Sequence, residues 1–200
     1  MGAANAATPR KNSGVKNDIV DEVLKNIPLS EEGMAQAEAV ADRLSDHKLE
    51  AIYSSPIDRT LQTARPIAER HDLAINTSRA IGEVEYGKWT DRPLKVLART
   101  KLWTNVQRWP SAVRFPDGET LREVQTRAVD EIERLGAEHP KGRVCCVSHG
   151  DVIKLILAHH LGVHIDLYQR IVIAPASVSG VSLTERGPSI VSLNSMPRSS

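Results

Sequence analysis

Val144-Cys145-Cys146-Val147-Ser148-His149-Gly150-Asp151 is the stretch on which the fold turns. Four apolar residues run into small polar ones, and an apolar helix follows over residues 151 to about 161, where Gly162 stops it. This is a strand leading directly into a helix. The same unit occurs earlier. Ala51-Ile52-Tyr53-Ser54 reads as a short strand, and Ser55-Pro56 leads into a helix with Ile57, Leu61, Ala64 and Ala68 on one face. Pro56 sets its start, and Pro66 is expected to end or kink it. Ahead of this unit Ser30 N-caps an amphipathic helix, with Glu31 and Glu32 in the first turn and Met34, Ala37, Val40, Ala41 and Leu44 at helical spacing. Thr120 and Glu123 form a capping box for a helix burying Leu121, Val124, Ala128, Ile132 and Leu135. Residues 178–183 and 190–193 read as two strands around a turn at Glu185-Arg186-Gly187. Strands alternating with helices predict an α/β domain over residues 28–195, three-layer α/β/α around a mostly parallel sheet. A poorly patterned segment, 1–27, precedes it, and 196–200 is a tail.

Composition limits the function classes. The chain has 200 residues, 40% of them apolar and 26% charged, which suits one soluble domain with a substantial core. With 26 basic residues against 25 acidic ones, the total charge points neither to nucleic acid nor to an anionic membrane surface. No apolar run approaches bilayer length. The N-terminal residues lack a signal-peptide core and, although they begin Met-Gly, carry Ala6 where a myristoylation signal wants Ser or Thr. They read as an untargeted tail. Cys145 and Cys146 are adjacent, so no stapling disulfide framework exists and a cytoplasmic location is expected.

In sheets of this kind ligands sit beyond the carboxyl ends of the strands. Both strand-to-helix turns place polar residues there: Ser54, Ser55 and Arg59 at one, Ser148, His149 and Gly150 at the other. A helix N-terminus offers backbone N–H groups to an anion, Gly150 permits close approach, and Arg59 lies one turn into its helix with a bidentate guanidinium. Taken singly, Arg59 reads as well as a solvated helix residue, and His149 as a packed strand-end histidine. Two such turns in one domain point to a phosphate or carboxylate pocket.

The order of motifs resembles the histidine phosphatase superfamily, in its phosphoglycerate mutase-like branch. The residues that carry the resemblance are Pro28-Leu29-Ser30-Glu31-Glu32-Gly33 with Gln36-Ala37, and Tyr53-Ser54-Ser55-Pro56-Ile57-Asp58-Arg59 with Gln62-Thr63-Ala64. Ile81 to Trp89, Pro116-Asp117-Gly118-Glu119-Thr120 with Arg127, and Val147 to Ile153 follow in order. The resemblance implies phosphoester chemistry, as phosphatase or phosphomutase, on a phosphorylated small molecule. Arg59, His149 and Gly150 would then hold the phosphoryl group, and Glu83 would protonate the leaving oxygen. Fixed cationic donors and a placed acid suit a transition state whose charge spreads over phosphoryl oxygens. Neither metal nor cofactor is implied.

One part of the family pattern is absent. Its nucleophile is the histidine of an Arg-His-Gly motif ending the first strand, whereas the first histidine of this chain is His47. The expected place lies near Arg10-Lys11-Asn12, with no apolar strand before it. The first strand is therefore expected to be missing from the sheet interior, with only residues 19–24 as a substitute. Impaired catalysis is expected, the alternatives being a non-catalytic phosphate-ligand-binding protein or a product with a replaced N-terminus. His160 and His164 have metal-like spacing, but Gly162 lies between them and no metal site is read there. Residues 88–119 mix basic side chains with tryptophans, and Trp89, Trp103 and Arg108 are candidates for covering the substrate. An amphipathic helix with a solvated basic face accounts for the same pattern. Neither the substrate nor the oligomeric state is fixed by these residues.

Overall fold

Every residue of strand β4 (Val144–Ser148) is buried, because helices cover both faces of the sheet at its centre. The structure, a computed structural model, describes residues 2–5, 28–90 and 92–196. Its sheet has six strands in the order β3-β2-β4-β1-β5-β6. Here β1 is Gly2–Asn5, β2 Ala51–Ser54, β3 Ile75–Thr77, β5 Val178–Thr184 and β6 Gly187–Ser195. Strands β3, β2, β4 and β1 run parallel, while β5 and β6 complete the sheet antiparallel. The α/β fold with a mostly parallel sheet is thus as the alternation of elements predicts.

Alternation along the strands builds the two cores. Ile52, Cys145 and Val147 face helices α1 (Glu31–Leu44) and α2 (Asp58–His71). Ala51, Val144 and Cys146 face α5 (Leu121–Glu138) and α6 (Gly150–His160). Between β3 and α5 the chain crosses the top of the sheet, with one-turn helix α3 (Leu94–Leu97) and α4 (Lys101–Arg108). Ser30 caps α1 by accepting the Gly33 N–H at 3.0 Å. Both bonds of the Thr120–Glu123 capping box are present at α5. No described helix is long and apolar enough to cross a membrane.

Two expectations are corrected, and of a third, that Pro66 ends or kinks its helix, the first alternative is not found. The sheet does have its interior strand: β1 pairs with β4 on one side and β5 on the other, with Asn5 opposite Ser148. Gly-Ala-Ala-Asn has little strand propensity of its own, so pairing on both sides decides its conformation. Residues 6–27, including the proposed substitute strand and Arg10-Lys11-Asn12, lie outside the described residues, as does 197–200 of the tail. Pro66 does not end α2, which continues to His71. Burial of Thr63, Ala64, Ile67 and Ala68 around it offsets the lost backbone bond. Met34 is exposed, and Gly33 takes the buried place at that turn.

Candidate functional site

Strands β2, β4 and β1 end level with one another, since Ser54 pairs with Val147 and Asn5 with Ser148. The turns after β2 and β4 therefore open on the same side. After β2, the Ser55 N–H donates to Val147 O at 3.0 Å, which ties the first turn to the second strand. Thr60 Oγ1 donates to Ser55 O and Ile57 O at 2.8 and 2.6 Å, closing the turn where the N-cap Ile57 offers no side-chain oxygen. This fixes the first turn of α2 and directs Arg59 inward.

The structure brings Arg59, His149 and Glu83 together. Arg59 is buried, at 7% exposure, and one terminal nitrogen donates to His149 Nδ1 at 2.9 Å and to Glu83 Oε2 at 3.2 Å. A guanidinium has only donors, so Nδ1 accepts and the imidazole proton resides on Nε2. From there it donates to Ser55 Oγ at 2.8 Å. Burial, then the cations of Arg59 and Arg127, hold the His149 pKa well below its ordinary value. His149 is thus a neutral donor, and its 3.5 Å approach to Glu83 Oε2 is not an ion pair. Gly150, half-buried, opens α6, and the first-turn N–H groups of that helix have no intrahelical acceptor. Cationic and dipolar donors thus converge with one carboxylate, a set suited to a phosphoryl group whose leaving oxygen requires a proton.

Glu83 owes its position to a latch. Arg127, on α5, donates to the carbonyls of Ala80, Gly82 and Glu83 at 2.6, 3.0 and 3.0 Å while paired with Glu119. Glu119 accepts the Glu85 N–H at 2.9 Å, and Ser148 Oγ donates to Ile81 O at 2.8 Å. Where Gly118 packs here, a Cβ would lie 2.2 Å from Glu85 O. Gly118→Ala is therefore expected to destabilise the protein by about 2 kcal/mol or more, read from urea unfolding. Ser55 and Ser148 were legible at the strand ends but without a role there, and Arg127 was legible without one as well. The signal available for Arg127 was its place after the Pro116-to-Thr120 motif.

Trp89 is buried and stacks on Trp103 with ring centroids 6.2 Å apart, and both line a cavity bordered by Glu83. Arg108 sits exposed at the end of α4, outside that lining. His160 joins His159 and Glu133, with ligand atoms within 4.8 Å of one another, at the other end of α6; His164 is not in that group.

The matched sequence decides the family: residues 22–196 fit the model of the histidine phosphatase superfamily, branch 1. The chain belongs to this superfamily. A phosphoserine phosphatase 1 of Hydrogenobacter thermophilus is 32% identical, over 83% of this chain and 80% of that protein. A "Probable phosphoglycerate mutase GpmB" of Yersinia pestis is 30% identical, over 79% of this chain and 74% of that protein. Among solved structures, Bacillus stearothermophilus YhfR superposes with a TM-score of 0.86 at 20% identity, covering 98% of this chain and 97% of that one. Phosphoserine phosphatase of Entamoeba histolytica in complex with 3-phosphoglyceric acid gives 0.84 at 20% identity, covering 98% and 96%. The fold is therefore that of the phosphoglycerate mutase-like phosphatases. Strand β1 lies before the stretch matched by the family model, yet occupies the interior of the sheet.

Burial of neutral His149 has a consequence for stability. Its folded pKa lies below the value of 6.5 for a free histidine, so the unfolded chain binds more protons between the two values. Stability present above pH 6.5 is expected to fall as the pH drops through that window. His160, also held low by burial, adds in the same direction. The difference between wild type and His149→Gln, in urea midpoints taken across the window, isolates the His149 part. An equal pH slope in both proteins contradicts it.

Proposed function

We propose that this chain binds phosphate monoesters in the Arg59–His149–Glu83 cleft, with the phosphoester chemistry of its superfamily, and that the chain as it stands turns them over at no more than a trace rate. The observation that carries the first part is the convergence of Arg59, neutral His149 and Glu83 where β2 and β4 end. Arg59 and the α6 N-terminus would hold phosphoryl oxygens, His149 would donate from Nε2 in exchange for its bond to Ser55 Oγ, and Glu83 would carry the proton for the leaving oxygen.

The second part rests on the sequence and on the state of His149. In the superfamily the attacking histidine ends the first strand; here β1 ends at Asn5 and the sequence continues Ala6-Ala7-Thr8. His149 is a poor substitute, since its one imidazole lone pair, on Nδ1, is taken by Arg59. Inorganic phosphate or vanadate is expected to raise the melting temperature by mass action, since ligand at 100 times its Kd adds about 2.7 kcal/mol. A folded protein whose melting temperature ignores millimolar phosphate contradicts the proposal.

A further inference from the structure

We infer that the alcohol part of the ester bound here is an uncharged aromatic or bulky apolar group, and not a carboxylate-bearing one. This deepens the reading of the Arg59 cleft as a phosphomonoester site and rests on it. A cavity of about 310 Å³ adjoins that cleft through Glu83, the residue assigned to the leaving oxygen. What enters it is therefore whatever that oxygen is attached to.

Its walls define the chemistry. Trp89, Trp103, Phe115, Leu97 and Val106 line it. Among the described lining residues the charged groups are both carboxylates, Glu83 and Asp151. Asp151 is paired with Lys154 at 3.0 Å, and Lys154 is not part of the lining. A second anionic group on the ligand would thus meet carboxylates and indole faces, with no cation among the described lining residues to receive it. The basic side chains of residues 88–119 do not alter this. Lys88 pairs outward with Asp117 at 2.8 Å, and Arg108 is exposed outside the lining. Trp89 stacks on Trp103 and meets Phe115 edge-on at 5.3 Å, so the walls support one another before a ligand arrives.

Calorimetric titration of the full chain with inorganic phosphate, 1-naphthyl phosphate and 3-phosphoglycerate tests this. Naphthyl phosphate is expected to bind at least ~10-fold more tightly than inorganic phosphate, and 3-phosphoglycerate no more tightly than inorganic phosphate. In Trp103→Ala the ratio of naphthyl to inorganic phosphate affinity should fall toward one. Gln107→Arg, at an exposed lining position, places a cation at the cavity and should raise 3-phosphoglycerate affinity ~3-fold or more. Phosphate binding with no naphthyl advantage, or with 3-phosphoglycerate the tightest ligand, overturns this inference and leaves the phosphate cleft standing. Failure of all three to bind overturns both.

Discussion

Arg59→Ala is expected to lower affinity for phosphate or vanadate by roughly 10- to 100-fold, the range set by losing one or two hydrogen bonds to a charged partner. The effect is large because Arg59 is buried and aimed into the site by the Ser55-to-Thr60 turn. Arg59→Lys should fall in between, since it restores the charge without the planar fork. The same substitution has a second signature. The Arg59 cation is one cause of the low His149 pKa, and without it His149 should protonate more readily beside Glu83, 3.5 Å away. A histidine titration moving upward in Arg59→Ala, together with the loss of phosphate affinity, separates removal of this cation from general unfolding. Unchanged phosphate affinity in a folded Arg59→Ala protein contradicts the site.

Hydrolysis of an aryl phosphate by the 200-residue chain is expected at a trace rate, with no acid-labile phosphohistidine formed. Removing the nucleophile from a covalent mechanism costs roughly four to six orders of magnitude, leaving only positioning and electrostatics. All seven histidines are described, and His149 alone lies at the carboxyl ends of the strands. His47 and His139 bond Arg143 and Glu50 before β4 and β2, while His71, His159 and His160 end their helices. Register supplies a gain-of-function arm. Asn5, opposite Ser148, is the last residue of β1, and the superfamily's attacking histidine ends the first strand. The combined change Asn5→Arg, Ala6→His, Ala7→Gly should raise hydrolysis by at least ~100-fold. Robust wild-type hydrolysis that His149→Ala abolishes would make His149 the nucleophile and overturn its assigned role.

Much of this site was legible because its elements obey local rules. Val144 to Ser148 is a continuous apolar run ending in a polar turn, and Ser30, Thr120 and Glu123 cap helices through bonds between near neighbours. Those rules place Arg59 and His149 at the mouths of adjacent strands, where they meet. Glu83 was different. It sits in an irregular segment positioned by Arg127 and Ser148, and its role came from family resemblance. What escaped the sequence is tertiary in origin. Strand β1 has no pattern because both its neighbours are supplied from the far end of the chain. Pro66 is carried through α2 by packing, and the lysines and arginines of residues 88–119 hid the apolar cavity that Trp89 and Trp103 face. Side-chain direction, which decides lid against cavity, is not encoded in composition.

A crystal of the full chain soaked in vanadate tests the central claim most directly. The expected result is the ion held by the Arg59 guanidinium and the His149 Nε2–H, against the first turn of α6 and with Glu83 beside it. Vanadate bound elsewhere, with Arg59 still bonded to His149 and Glu83 and no ion beside them, would contradict the account.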